Sequence, residues 1–302
     1  MNIAILSTNK NLYSTKRLVE AGEDRGHNMT VLNHTKCYVV MEPGKPEIYY
    51  KDRPVENIDA VIPRIGASVT FYGSSIIRQF EMRKTFSTLS SLGLVRSRDK
   101  LRATQILARH NVGFPKTAFA KYPSDVDYLI KQVGGAPLIV KLLEGTQGLG
   151  VVLAETRKAA KSVIEAFYGL SANIIVQEFI SEANGCDVRA LVVDNKVVAS
   201  YKRIGKEGDF RSNLHRGGSG EKIRLSKIEK DAAVKAAQAL GLKIAGVDLL
   251  QSNRGPLILE VNSSPGLGGV EQYTGVDVAD KIIAYIEKNI NKPLKQKDKV
   301  GA

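Results

Sequence analysis

The sequence predicts an α/β protein built from more than one domain. Short apolar runs alternate with helical stretches through about the first 90 residues, the pattern of a parallel sheet with crossover helices. Further along, paired apolar strands meet at polar turns, as in CDVRALVVDNKVVASYKR and GVDLLQSNRGPLILEVN. At 302 residues the chain also exceeds what one small core comfortably organises. Apolar content of 43% beside charged content of 25% is that of a folded chain rather than a disordered one.

The run NIAIL is the first strand, and a helix follows from Tyr13 to Arg25, ended by Gly26. MTVLN and DAVIPRIG are the next strands, separated by an irregular stretch holding Pro43, Gly44 and Pro46. The turn STNKNLYS lacks GxGxxG, so this Rossmann-like wrapper carries no dinucleotide fingerprint. MNIAILSTNK turns polar after six residues, which speaks for a strand and against a signal peptide. No apolar run reaches eighteen residues, so no membrane span is expected. Cys37 and Cys186 lie far apart without a CxxC or HxxxH companion, which supports neither a disulfide framework nor structural zinc. The cytoplasm is the expected location.

A boundary falls near Val95, giving a first domain of residues 1–94. SRDKLRATQILARHNVGFPKT then reads as a helix with Leu101, Ile106 and Leu107 in a stripe, stopped by Asn111-Val112-Gly113 and Pro115. The strand KTAFA, a helix from Ser124 to Val133, the strand PLIVKLLEG and a helix in ETRKAAKSVIEAFYG complete a central unit over 95–175. A third segment, 176–290, holds the end of NIIVQEFI, a hairpin with an Asp-Asn turn and the polar loop KEGDFRSNLHRGGSGE. The helix IEKDAAVKAAQALGL, the SNRG hairpin and the helix DVADKIIAYIEKNI complete it. Residues 291–302 form a basic tail with Lys292, Lys295, Lys297 and Lys299, expected to be solvated.

The SNRG hairpin poses the chemical question, because Asp248 and Glu260 sit inside otherwise apolar strands, where an unpaired carboxylate is costly. If the turn is centred near Arg254, Asp248 lies opposite Glu260, and Asn262 projects from the same face. Val247, Leu249, Leu259 and Val261 then face the other way into a core. Two opposed carboxylates repel unless a cation sits between them, and hard oxygen donors suit Mg²⁺. The plainer arrangement has one acid paired with a neighbouring basic residue and the other facing water.

PLIVKLLEGTQGLGVVLAE places Lys141 on a strand before a loop containing Gly145, Gly148 and Gly150. Without a Walker motif, this strand–glycine loop–strand is a flap able to close over phosphates that the lysine neutralises. IIVQEFI runs into Gln177-Glu178, and backbone groups at the end of such a strand can read an adenine edge, while Asp187 can accept from ribose hydroxyls. Arg203, Lys206, Arg211, His215 and Arg216 cluster in a segment too polar to be core, and arginine forks match phosphate and carboxylate. His215 is most simply a hydrogen-bonding loop residue. Taken together these elements describe a triphosphate under a flap, divalent ions at the hairpin, and Lys141, Arg203 and Arg211 stabilising the charge in transfer. The net charge of +13 and pI near 9.6 suit anionic partners. With no Trp and no aromatic interleaving, direct RNA contact is not predicted.

With these elements in this order, the chain resembles the ATP-grasp enzymes, most closely the RimK type of glutamate ligase, over nearly its full length. PRIG, RDKLRATQILA, KLLEGTQGLGV, VQEFI, GCDVR, KEGDFRSNLHRGG, GVDLL and LEVNSSPGL carry the resemblance. It implies a pre-ATP-grasp domain (1–94), a central lid (95–175) and a C-terminal catalytic subdomain (176–290). It also implies that Lys141 contacts ATP phosphates, the backbone of Glu178 and Phe179 adenine, and Asp187 the ribose. Arg211, Ser212 and Asn213 would line the phosphate and acyl site, with Asp248, Glu260 and Asn262 on two Mg²⁺ or Mn²⁺ ions. Ser263 stands where alanine is often found. The implied reaction joins free L-glutamate to the C-terminal carboxylate of a small-subunit ribosomal protein, the sixth, through an acyl phosphate. Some members also make poly-α-glutamate, and a homotetramer is implied. The alternatives are an ATP-grasp ligase with a small-molecule or carrier-protein acceptor, and a basic ribosome-binding protein.

Overall fold

The alternation of apolar and polar positions in the first sixty residues folds as β1 (Asn2–Leu6), α1 (Tyr13–Asp24) and β2 (Asn28–Leu32). The segment holding Pro43, Gly44 and Pro46 is regular: β3 (Cys37–Glu42), β4 (Lys45–Tyr50) and β5 (Arg53–Pro54) form an antiparallel meander. Gly44, at φ +77, makes its first turn. After it come β6 (Ala60–Pro63), α2 (Thr70–Met82) and β7 (Phe86–Ser87), and the parallel sheet runs β2-β1-β6-β7. Ile3, Ile5, Leu6, Val61 and Phe80 are buried there. These coordinates are a computed structural model describing residues 1–121, 126–143, 150–206, 210–212 and 217–292.

Where the sequence reads one helix from Ser97, the structure has two, α3 (Ser91–Arg98) and α4 (Lys100–Arg109). Asp99 between them has extended backbone, and its carboxylate accepts from the Arg102 N–H at 2.9 Å. An aspartate able to cap ends one helix and starts the next. Two compact units result, one of Met1–Val95, Gly266–Gly268 and residues from Asp277 on, the other of Arg96–Pro265 and Gly269–Val276.

The second unit contains two antiparallel sheets. The first takes β8 (Thr117–Phe119), β9 (Leu138–Leu142), β10 (Val151–Ala154) and β11 (Ile174–Glu178) in the order β10-β9-β11-β8. Helices α5 (Val126–Gln132) and α6 (Arg157–Gly169) cover one face, burying Leu138, Val140, Ile174 and Val176 against Leu129, Ile130 and Ile164. Strand alternation therefore turns Lys141, Ile175, Gln177 and Thr117 to the opposite face.

The second sheet takes β12 (Cys186–Val193), β13 (Lys196–Ile204), β14 (Ser219–Lys222), β15 (Ile244–Ser252) and β16 (Gly255–Asn262), ordered β14-β13-β12-β15-β16. The Asp194-Asn195 turn has both φ values positive, as a tight two-residue hairpin needs. Ser219–Lys222, read from sequence as loop, pairs as an edge strand, its polar composition being what an edge tolerates. Helix α7 (Lys227–Ala239) packs on this sheet, opened by a full capping box at Ser226 and Glu229. Helix α8 (Gly268–Thr274) follows the last strand. The final helix, α9 (Val278–Asn289), is fastened to α1: Arg25 donates to Asp280 at 2.8 Å and to Glu287 at 2.7 Å. The sequence reading runs the third segment to 290, whereas contacts group residues from Asp277 on with the first unit.

The hairpin register corrects two details. The turn is Asn253-Arg254, with Ser252 opposite Gly255, and a bulge at Leu259 then restores Asp248 opposite Glu260. Leu259 is thereby displaced from the core and only half-buried, while Ile258 and Leu257 are buried instead. Gly246 lies opposite Asn262 on this face, and a Cβ there would come within 2.8 Å of the Pro265 ring. Gly246→Ala should therefore cost about 1–3 kcal/mol of unfolding free energy by overpacking. Urea denaturation reads the loss directly, and an unchanged midpoint would mean that Pro265 moves aside freely.

Candidate active site

The second sheet assembles its charges by register. Reading across β12, β15 and β16, Arg189 pairs with Asp248 and Asp248 with Glu260. One step away Asp187 pairs with Arg203 of β13, and Gly246 with Asn262. Because side chains alternate, all of these share one face, while Val188, Val247, Leu249 and Val261 are buried on the other. The Arg189 fork grips Asp248 with Nε on Oδ1 and Nη2 on Oδ2, both at 2.7 Å. Arg203 grips Asp187 in the same way, Nε to Oδ1 at 2.6 Å and Nη2 to Oδ2, and that Nη2 also reaches Asp248 Oδ2 at 2.8 Å.

The plainer arrangement of the two acids is thus present: Asp248 is paired with arginines and Glu260 faces water. Burial alone would raise the Asp248 carboxyl, but Arg189 and Arg203 outweigh it and hold it below the usual carboxylate range. For Glu260 the balance goes the other way. Surrounding protein, and then the Asp248 charge opposite, push its carboxyl up, against the pull of Arg189, Lys100 and Lys141. Burial works against the Arg203 charge, but Asp248 and Asp187 more than offset it.

These residues fit a hard divalent cation. Among the described residues neither Glu260 nor Asn262 has a hydrogen-bond partner, so three oxygens are open to a ligand. Asp248 has three of its four lone-pair positions taken by arginine donors, leaving one on Oδ1. The residual repulsion between the acids is what a cation relieves. Among the described residues no cluster of three acidic, His or Cys side chains exists, so a cation here would draw on the Asn262 amide and on oxygens of a bound substrate.

The inward face of the first sheet supplies cations. Lys141 donates to Gln177 Oε1 at 2.6 Å, and burial pulls its ammonium down to about 8, opposed by Glu260 and assisted by Lys100. Lys100, at the start of α4, donates to the carbonyls of Leu142 at 2.9 Å and Leu143 at 3.2 Å, and burial lowers it too. Arg98, also lowered by burial, feels the Glu260 charge. Two lysines and an arginine therefore bear on Glu260 beside the arginine-held Asp248, a field that suits a polyanion carrying its own counter-ion.

Other residues singled out in the sequence fall as follows. Glu178 ends β11, its backbone N–H donating to Lys116 O at 2.9 Å and its carboxylate accepting from the Lys116 N–H and from Arg254. Phe179 follows it, half-buried. Asp187 is buried, and with both oxygens on Arg203 a ribose hydroxyl would share an oxygen with the guanidinium. Ser212 is buried and helps hold the Asp187 charge, and Arg211 lies over the Phe210 ring at 5.2 Å. Ser263 is buried, its hydroxyl without a partner. Asn213, His215, Arg216, Gly145 and Gly148 lie outside the described residues. Sequence reasoning missed Arg189, Lys100, Arg98 and Gln177. Arg189 was findable, since an arginine two residues from Asp187 in an apolar strand needs a buried carboxylate.

Comparison with known proteins identifies the family. A family model for the RimK-like ATP-grasp domain matches residues 97–286, and one for the RimK pre-ATP-grasp domain matches residues 1–94. A protein of Picosynechococcus named probable alpha-L-glutamate ligase is 60% identical over 289 residues, 96% of each chain. One of Shewanella frigidimarina, probable alpha-L-glutamate ligase 2, is 59% identical over 98% of this chain and 99% of its own. Among solved structures, the ATP-grasp ligase PsnB complexed with minimal precursor, Mg and ADP matches with a TM-score of 0.74 at 20% identity, covering 95% of this chain and 97% of that one. The RimK domain ATP-grasp protein of Sphaerobacter thermophilus gives 0.68 at 19%, covering 95% and 100%. At such identities the likeness is one of fold. The matches cover both the first 94 residues and the two antiparallel sheets, and the chain belongs to the RimK-like family of ATP-grasp ligases.

Proposed function

We propose that this enzyme uses ATP to join L-glutamate to the C-terminal carboxylate of a protein acceptor, a small-subunit ribosomal protein (the sixth), and extends the product into an α-linked glutamate tail. The observation that carries the reading is the pair of opposed carboxylates, Asp248 and Glu260, with the Lys141 charge bearing on Glu260, which suits a metal-bound triphosphate, joined to relatives near 60% identity named for glutamate ligation. A terminal carboxylate oxygen of the acceptor attacks the γ-phosphorus, and the bond to the departing ADP oxygen breaks. The neutral amine of glutamate then attacks the acyl carbon, the carbon–oxygen bond to phosphate breaks, and the amine gives up a proton as the amide forms.

Asp248, Glu260 and Asn262 would hold two divalent ions, magnesium or manganese, which when bound screen the phosphate charge. Lys141 binds the phosphates. Arg203 and Arg211 stabilise the charge that develops at phosphorus and carbonyl, Ser212 and Asn213 line the same pocket, Asp187 meets the ribose, and the backbone at Glu178 and Phe179 meets adenine. An acyl phosphate must be kept from water, and the glycine-rich sequence after Lys141 is the segment suited to that task. An acceptor tail that grows more acidic with each addition suits a chain of net charge +13.

Incubation with ATP, Mg²⁺, glutamate and the acceptor should give a mass ladder in glutamate increments on the acceptor. Glutamate-dependent phosphate release without that ladder would assign a different acceptor, a small molecule or carrier protein, and no such release would remove the ligase reading. Glu260→Gln removes a ligand charge at constant volume and should lower turnover by about 10²–10³-fold, the scale for one electrostatic contact to a reacting group. The same change should raise thermal stability at neutral pH. The Glu260 carboxyl is raised in the folded state, so its ionisation opposes folding above the ordinary glutamate range, and the difference from wild type vanishes below that range. Full turnover at ordinary Mg²⁺ would exclude Glu260 as a ligand.

A further inference from the structure

Gln177 is a buried polar side chain outside the ion network, 5% exposed, and the proposed chemistry gives it no role. It stands diagonally across from Lys141 on the face of its sheet away from α5 and α6, directly opposite Thr117. Three hydrogen bonds run through it. Lys141 Nζ donates to Gln177 Oε1 at 2.6 Å, Gln177 Nε2 donates to Thr117 Oγ1 at 2.8 Å, and the Thr117 hydroxyl donates to the Pro115 carbonyl at 2.7 Å.

The direction of this chain is fixed from its far end. A carbonyl oxygen only accepts, so the Thr117 proton points to Pro115 and its lone pair must receive the Gln177 NH₂. The amide therefore turns its oxygen to Lys141. The ammonium has three donors, and this contact takes one of them, leaving the others for an anion. A carboxylate at 177 would hold the lysine equally well but would cancel its charge. A neutral acceptor orients the ammonium and leaves the charge in place.

We propose that Gln177 is a positioning residue for nucleotide binding: held by Thr117 and Pro115, it aims the Lys141 ammonium at the phosphate site while leaving its charge uncompensated. The inference rests on the reading of Lys141 as a phosphate contact. The low proton affinity of Lys141 agrees with a neutral anchor in a buried site, the described charged groups bearing on it being Glu260 and Lys100.

The experiment measures binding of a non-hydrolysable ATP analogue with Mg²⁺ to the full-length enzyme by calorimetry, from pH 6.5 to 9.5. Wild-type affinity should fall as pH rises past about 8, where the ammonium is lost. Gln177→Leu should weaken binding at pH 7 about tenfold, the scale of one hydrogen bond to a charged group, and move the fall to lower pH. Gln177→Glu should also weaken binding at pH 7, because the new charge pairs with Lys141 and repels phosphate, but should move the fall to higher pH. Thr117→Val, nearly isosteric, should weaken binding less than Gln177→Leu and keeps the test open should that variant fold poorly. Opposite pH displacements of the two Gln177 variants are what a purely structural residue would not produce. Lys141→Met separates the two ideas. If it binds like wild type, the phosphate role of Lys141 fails and this inference with it. If it binds weakly while the Gln177 and Thr117 variants keep wild-type affinity and pH profile, the positioning role alone is overturned.

Discussion

Two carboxylates stand side by side on neighbouring strands, and the protein compensates only one of them. Asp248 receives a bidentate fork from Arg189 and a further donor from Arg203, whereas Glu260 receives nothing from the described residues and feels the Asp248 charge across the ladder. A fully neutralised pair would be more stable and would have no use for a cation. The rest of the second unit is arranged around that residual repulsion. Gly246 leaves room for the Pro265 ring that follows the last strand, the Leu259 bulge sets the register, and Lys100 and Lys141 bear on Glu260 without pairing with it.

The two arginines do not have equal reasons to stay. Arg189 spends its fork on Asp248 alone, across one rung of the ladder, so it defines where the surviving lone pair on Oδ1 points. Arg203 divides one Nη2 between Asp187 and Asp248, a compromise that leaves Asp248 the weaker of its two contacts. A cation held at Asp248 would lower the electrostatic value of its contact to Arg203, while Asp187 would keep its grip on the same guanidinium. The arrangement links the residue proposed for ribose to the residue proposed for metal through a single side chain, so occupancy of one alters the field at the other.

Much of this was legible in the sequence, though not always for the reason first given. Alternation in GVDLL and LEVN placed both acids and Asn262 on one face, since a period of two leaves no other choice. The opposition of Asp248 and Glu260 follows from a turn placed half a residue off and without a bulge, and these two errors cancel. A bulge at Leu259 has no mark in a run as uniformly apolar as PLILEV. The meander at Cys37–Pro54 was hidden by its prolines, and the short strand at Ser219 by its glycine and charges. Asp99 split a helix whose apolar stripe continues across the break, because a cap acts through one side chain and periodicity through many. Long-range pairs such as Lys100 with the Leu142 carbonyl leave no trace in spacing, since they depend on how two elements meet.

The neutral anchor of Lys141 and the charged anchors of Asp248 follow from one principle. A group that must meet an ion of opposite charge can be oriented by dipoles without loss, but orientation by a full counter-charge subtracts from the interaction it prepares. Lys141, proposed to meet phosphate, would do so with its whole charge, and an amide holds it. Asp248, buried beside a second carboxylate, could not remain ionised on dipoles alone, and needs arginines to exist as a ligand at all. Glu260, whose side chain reaches water, has neither, and its carboxyl is raised by the surrounding protein and by Asp248. The site thus grades its support by burial, and the most exposed acid is the one left free to bind.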